Sequence, residues 1–356
     1  MAKPVQDELF ARATGKFPST RYQGSKQKFI DWIWLCIKDL HFDSCLDAFG
    51  GTGCFAYRAK QESKSVTYND ILPFNALIGK ALIENQGSVL LDEDVAAILD
   101  VARAKQAPRF IEETFKDIYY TDEENRWLDK VSFNIRNMKD PYKQAMAYFA
   151  LFQACIIKRP YNLFHRKNLY VRMQEVERSF GNKKTWDTPF ETHFKKFVRE
   201  INAASFDSSV PCRSICQDAV LIKNEYDLVY IDTPYIGASG KNVDYADFYH
   251  FLTGLAQYDQ WKNLVDYNSM HKRLKRSPNP WCDKSKIVGE FEKLIEHYSK
   301  SILAISYRSD GIPTVDELRT MLKKHYRDVD VFESWEIKYA LSKSSSKEVL
   351  LVAKNA

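Results

Sequence analysis

The stretch DLVYIDTPYIG (227–237) runs an apolar segment straight into Asp232-Thr233-Pro234-Tyr235. In an open parallel sheet, ligands bind beyond the carboxyl ends of the strands. An acid, a proline-stiffened backbone and an aromatic face would then meet at a binding edge. The chemistry that suits them is methylation of an exocyclic aromatic amine, whose lone pair is delocalised into the ring and attacks poorly. Asp232 can accept one N–H and the main-chain carbonyl of Thr233 the other, which localises that lone pair. Pro234 stiffens the backbone beside them and Tyr235 offers a face to the base. Alignment with a methyl donor supplies most of the remaining catalysis. A plain strand-to-turn exit has the same letters, so the tetrad alone leaves both readings open.

A second constellation is LDAFGGTGCF (46–55), where Asp47 closes an apolar run and glycines follow at 50, 51 and 53. Glycine permits a sharp turn and close approach of a ligand. A helix beginning there would present unpaired N–H groups. The next apolar run ends in YND, which places Asp70 23 residues after Asp47. A carboxylate at that point can grip the hydroxyls of a ribose. The spacing is not the GxGxxG of a dinucleotide site. An acid beside the loop would repel a pyrophosphate, but it would attract the cationic amino-acid end of S-adenosylmethionine (SAM). A bare glycine-rich turn is the alternative for the loop by itself.

The elements that would position these residues are strands at 44–49, 65–69, 213–218, 227–232, 301–307, 331–337 and 348–353. Helical patterns fall at 26–39, 73–85, 286–300 and 314–325. This alternation predicts an α/β fold, a mostly parallel sheet covered on both faces. The last two strands are too close for a crossover and should form an antiparallel hairpin, with LSKSSSKE (341–348) as its connection. A strand–helix–strand unit needs only ~30 residues, yet the second and third strands are separated by far more. Residues 87–205 therefore read as an inserted, mainly helical domain within a catalytic domain of 1–86 and 206–356.

Among 356 residues, 45% are hydrophobic, 28% charged and 14% aromatic, which describes a folded globular chain. The start, MAKPVQDELF, has no apolar signal core. The longest nearly apolar stretch, Ala145 to Ile157, contains Gln153 and is too short to span a bilayer. Seven cysteines with no CxxC pair argue against zinc and for reduced thiols, so no metal and a cytoplasmic setting are expected. The net charge is only +5, but residues 158–199 hold eleven Lys or Arg against four acids. Aromatic residues are interleaved there, a footprint expected of a phosphate backbone. A solvated basic face would look the same. HKRLKR (271–276) is a second basic run, either a clamp on DNA or an ordinary loop. His165 is not needed as a base, because the amine loses its proton after the new bond forms.

Taken together, these stretches resemble the Dam-like (α-group) DNA adenine methyltransferases of bacterial restriction-modification systems, and the resemblance covers nearly the whole chain. RYQGSK (21–26) resembles the N-terminal SAM-contacting motif, with Tyr22 and Lys26 in the aromatic and lysine positions. LDAFGGTG matches the glycine motif, with Asp47, Phe49, Gly51 and Gly53. Asp70 stands where the family holds the SAM ribose, and Asp218 in CQDA (216–219) where it approaches the SAM adenine. DTPY stands in place of DPPY; Thr233 can keep the carbonyl contact, but it puts rigidity, and with it the rate, in question. PYNLFHRKNLYVR (160–172) resembles the target-recognition segment with its R-x-N element. SYRSDGIPTVDEL (306–318) and KYALSKSSSKEVLL (338–351) resemble the closing strands of methyltransferases that accompany type IIS endonucleases.

The resemblance implies a Rossmann-like SAM-dependent methyltransferase fold with a mixed seven-stranded sheet, helices on both faces and an inserted target-recognition domain. It implies transfer of a methyl group from SAM to N6 of an adenine flipped out of a specific duplex sequence. The functional partner would be a restriction endonuclease, and a monomer is favoured. Asn162, Arg166, Asn168, Lys183 and Lys184 become candidates for base or phosphate contacts. Methylation of DNA cytosine or RNA adenine, or a catalytically weakened SAM- and DNA-binding protein, are the competing expectations.

Overall fold

The computed structural model describes residues 15–175, 183–223, 225–237, 244–337 and 346–355. Residues 338–345 lie outside them, and with them 341–345 of the expected hairpin connection (341–348); residues 346–348 belong to a strand. The strands of the described residues are β1 (Ser44–Asp47), β2 (Ser65–Asn69), β3 (Arg213–Ile215), β4 (Leu228–Ile231), β5 (Ile236–Gly237), β6 (Ile302–Arg308), β7 (Gly311–Ile312), β8 (Asp328–Ile337) and β9 (Ser346–Lys354). Seven of them form one sheet in the order β3-β2-β1-β4-β6-β9-β8, and β5 pairs with β7. All seven apolar runs expected to be strands contribute to this sheet. Pairing is parallel from β3 to β6, and β9 lies antiparallel to both β6 and β8. Strand order reverses between β1 and β4, where Asp47 lies opposite Tyr230. That switch point opens a crevice at the carboxyl ends.

Side chains alternate across the sheet with the period of two that a pleated strand imposes. Cys45, Val66, Tyr68, Leu228 and Tyr230 face one core, covered by α1 (Ile30–Ile37), α2 (Cys54–Gln61) and α3 (Pro73–Gly79). The helix expected over 26–39 is broken. Gly24 has a positive φ of 83°, Lys26–Lys28 forms one tight turn, and α1 starts only at Ile30. The helix expected over 73–85 ends in a widened turn, with the Asn85 N–H reaching back to Lys80 O at 3.0 Å.

The long excursion folds as α4 (Asp92–Leu99), α5 (Phe110–Thr114), α6 (Asp122–Arg136), α7 (Pro141–Ile157), α8 (Leu169–Met173), α9 (Lys183–Asp187) and α10 (Phe190–Ala204). It is mainly helical, as the sequence predicts, but it does not stand alone. A second excursion after β5, with α11 (Tyr245–Phe248), α12 (His250–Ala256) and α13 (Tyr258–Leu264), completes the same lobe. Phe251 packs its ring on Phe115 at 5.0 Å and on Phe164 at 5.2 Å, and the Tyr258 hydroxyl donates to Asp129. Helix α7 is buried on every side from Ala145 to Ile157 and belongs to the same continuous core as the sheet face. A helix apolar all round must be enclosed. The expected boundary at 87 and 205 thus cuts through shared packing, and the lobe also draws on residues after 244.

The opposite sheet face carries Leu46, Val229, Ile231, Leu303, Ile305 and Leu351 under α14 (Ile287–His297) and α15 (Val315–Leu322). Among the described residues no helix is long and apolar enough to cross a membrane.

Inside the lobe, the basic character of 158–172 is largely turned inward. Lys158 meets Glu124 at 2.8 Å, and Arg172 grips the same carboxylate through two nitrogens at 2.9 and 2.8 Å. Arg159 is buried, donates to the carbonyls of Leu163, Tyr119 and Arg166 and to Asn168 Oδ1, and stacks on Tyr119 at 4.2 Å. Replacing Arg159 by alanine strips these acceptors and leaves a void. It should lower the unfolding free energy by about 3 kcal/mol, read from urea denaturation. A change below about 0.5 kcal/mol would show that the loop holds itself.

Candidate active site

The glycine loop is shaped by what surrounds it. Gly50 donates to Asn69 O at 2.7 Å, and a Cβ there would lie 2.1 Å from the Tyr68 ring. Gly51 and Gly53 have φ of 52° and 75°, left-handed values that glycine takes without strain. Gly53 caps α2. Asp70 fixes the loop: it accepts from Gly51 N at 2.9 Å, Asn75 Nδ2 at 2.9 Å and Leu72 N at 2.8 Å. Burial pushes Asp70 up to about 6, while the donors from Leu72, Gly51 and Asn75 hold it down. Asp47 is buried at the end of β1. Its Oδ2 takes the Ala56 N–H at 3.3 Å, and its Oδ1 has no hydrogen-bond partner among the described residues. Burial, then the nearby Asp232, pushes its carboxyl well above the usual range.

Two residues beyond Tyr230, Asp232 enters the same crevice from β4. Lys26, placed by the tight turn ahead of α1, lies 3.2 Å from Asp232 Oδ1 and 2.6 Å from Glu348 Oε1. Burial pushes Asp232 up to about 7; Lys26 pulls it down and Glu348 pushes it up. The Tyr235 ring has the Lys26 ammonium 5.5 Å and the Arg308 guanidinium 5.1 Å from its centroid. Thr233 is buried, with its hydroxyl unpaired among the described residues.

These parts line one cleft that is open to solvent. Tyr22, Lys26, Asp47, Phe49, Gly51, Asp70, Asp232, Thr233, Pro234 and Tyr235 all contribute to its wall. Gly53 does not, since it turns the chain behind the wall. Asp218 is exposed and outside the lining; it caps a short turn by accepting from Val220 N at 3.2 Å. Asn168 is also placed otherwise than expected, because it is buried and its side-chain oxygen serves Arg159. Its polarity is spent inside the lobe. Asn162 and Arg166 lie on that loop, half-buried and exposed, and Lys183 and Lys184 are exposed, with Lys183 3.0 Å from Asp187. In the 271–276 run, Arg276 and His271 are drawn to Asp247 at 3.6 and 3.8 Å.

Several contributors escaped the sequence reading. Tyr22 stacks on Tyr249 at 4.5 Å and on Tyr245 at 5.4 Å, so the segment after the tetrad closes back on the N-terminal motif. The aromatic spacing YADFYHF (245–251) was the available signal. Asn279 joins the wall, and Trp281 meets Phe49 edge-on at 5.2 Å. Glu348 is 0% exposed, a charge directly before the apolar run Val349–Ala353 of β9. A lone acid in such a run was the clue to a buried partner.

Comparison with known proteins adds the family. The description of D12 class N6 adenine-specific DNA methyltransferases matches residues 22–321. The chain is 29% identical over 355 residues to the type II methyltransferase M2.HphI of Haemophilus parahaemolyticus, covering 96% of this chain and 98% of that protein. It is 24% identical over 321 residues to the type II methyltransferase M.NlaIII of Neisseria lactamica, covering 85% and 87%. It is 23% identical over 354 residues to the type II methyltransferase M.FokI of Planomicrobium okeanokoites, covering 92% of this chain and only 50% of that protein.

Removing the Asp70 carboxylate leaves the Gly51 and Leu72 N–H groups without their acceptor. Asp70→Ala should speed hydrogen exchange at the Gly51 amide by about tenfold or more and lower stability by about 2–4 kcal/mol. An unaltered Gly51 exchange rate would mean that the loop is held by something else.

Proposed function

The chain belongs to the D12 class of N6 adenine-specific DNA methyltransferases, and we propose that its cleft takes SAM at the glycine loop and an adenine turned out of the duplex at the tetrad. The enzyme is a site-specific, adenine-specific DNA methyltransferase, which sets aside cytosine and RNA as its substrate class. The observation that carries the site assignment is the convergence of the glycine loop and the DTPY tetrad on one cleft wall.

The residues suit the methyl donor. The unpaired, buried Asp47 Oδ1 is an acceptor waiting for a cationic group, as the amino-acid end of SAM provides. Asp70, at the tip of β2, keeps a carboxylate at the wall beside Gly51 for ribose hydroxyls. Tyr22 and Phe49 supply flat apolar contact. Once bound, SAM supplies a methyl group on a sulfonium, an electrophile that needs no metal activation. This chain's residues prepare the nucleophile. Asp232 and the Thr233 carbonyl accept the amine's two N–H groups, and Tyr235 faces the base, returning about 1–3 kcal/mol of the stacking lost on eversion. Thr233 preserves the carbonyl contact, so we assign an active enzyme rather than a weakened one.

The helical lobe is the proposed DNA-reading part, with Asn162, Arg166, Lys183 and Lys184 on or near its surface. Relatives named type II methyltransferases support a role in protecting DNA beside a restriction endonuclease, in the bacterial cytoplasm. Mapping modified adenines across the DNA of an expressing host tests base, context and activity together.

Asp232→Ala should abolish methyl transfer while DNA binding persists; wild-type turnover by that variant would refute the acceptor role. Only ionised Asp232 presents two accepting oxygens. With its carboxyl at about 7, single-turnover methylation should be full above that value and fall as the pH drops through it. A rate that stays flat down to about pH 5 would contradict this. Neutralising Lys183, Lys184, Lys195 and Lys196 should reduce the salt slope of DNA binding by about one or more; an unchanged slope would locate the phosphate contacts elsewhere.

A further inference from the structure

Glu348 lies 322 positions from Lys26 in the chain, yet its carboxylate makes the shorter of the two contacts to that ammonium, 2.6 Å against 3.2 Å for Asp232. It is fully buried, outside the cleft wall, and firmly seated: Ser306 Oγ donates to Oε1 at 2.6 Å, and its own N–H donates to Ser334 Oγ at 3.0 Å. The antiparallel register of β6 with β9 sets it opposite Arg308, next to the strand that carries Ser306. No substrate can touch such a group. It reaches the cleft through its contact with Lys26 and through its charge, which also pushes Asp232 up.

We propose that Glu348 is a positioning residue for methyl transfer: it holds the Lys26 ammonium back from Asp232, so that the Asp232 carboxylate stays free to accept the substrate amine. This rests on the assignment of Asp232 as the amine acceptor. An ammonium shared by two carboxylates is drawn toward the nearer one. With Glu348 present, Lys26 meets Asp232 at a long distance and occupies one oxygen weakly. Without it, Asp232 becomes the ammonium's sole carboxylate partner, the pair tightens, and the amine must compete with Lys26 for the same lone pairs. The other titratable groups facing Asp232 are Asp47 on β1, Cys54 at the start of α2, Tyr230 on β4, Tyr235 in the tetrad and Tyr245 on α11. None of them is an anion in contact with Lys26, so none can take the place of Glu348.

Glu348→Gln keeps the shape and an oxygen for Ser306 but removes the charge. With an opposing charge left unshared beside Asp232, the acid limb of the single-turnover rate should move down by about one pH unit. The plateau rate should fall about tenfold as Lys26 competes with the amine, and DNA affinity should change less than about twofold. A merely structural role would lower the plateau without moving the limb, so an unmoved limb overturns the proposal. Glu348→Asp, which keeps the charge but withdraws it from Lys26, should move the limb in the same direction by less. If both variants fail to fold, Glu348 serves stability and the proposal falls. Asp232→Ala separates the two claims. If that variant stays active, the acceptor assignment fails; if it is dead while Glu348→Gln behaves as wild type, only the role of Glu348 fails.

Discussion

A buried ammonium survives only where anions share it and the geometry is good. Lys26 is 4% exposed, and its two carboxylate partners come from β4 and β9. One cation therefore ties the N-terminal segment, the central strand and the antiparallel hairpin to a single point beside the cleft. The tight turn at Lys26–Lys28, set apart from α1, is the element that presents that side chain. An uninterrupted helix from residue 26 would not present that side chain in the same way. The other buried acids show the same economy of placement. Asp70 is satisfied by three donors and shapes the loop, whereas Asp47 retains an unfilled acceptor at the cleft wall.

Much of this was legible in the sequence, and for physical reasons. The central strands, buried on both faces, read as short apolar runs and stand out in the sequence. Asp232 and Asp47 announce themselves because an acid at the carboxyl end of an apolar strand needs a reason to be there. Residues that act through partners distant in the chain were harder to see. Glu348 reads as the polar start of a strand until Lys26 is set against it. Asn168 reads as a base-reading amide until Arg159 is found to hold its oxygen. Local letters reveal polarity but not whether water, DNA or another side chain satisfies it.

The same distinction governs the basic stretch of the lobe. Counted along the chain, its positive charge looks like a phosphate-binding surface. In space, Lys158 and Arg172 neutralise Glu124, and Arg159 braces a turn with carbonyl groups. Among the described residues, what is left for solvent is carried by Arg166, Lys167, Lys183, Lys184, Lys195, Lys196 and Arg199. Several of these neighbour acids on their own helix, as Lys195 does with Glu191. The outward field is weaker than the composition implies, and the inward charges stiffen the loop that carries Arg166.

Helix α7, enclosed on all sides, makes the helical lobe and the main sheet share one interior. Such an architecture resists modular exchange. A graft cut at residues 87 and 205 would carry half of an interlocked surface into a foreign host and leave α11 to α13 facing the wrong neighbours. Exposed side chains on the lobe's loops, such as Arg166 and Lys167, can be replaced without disturbing the keel beneath them.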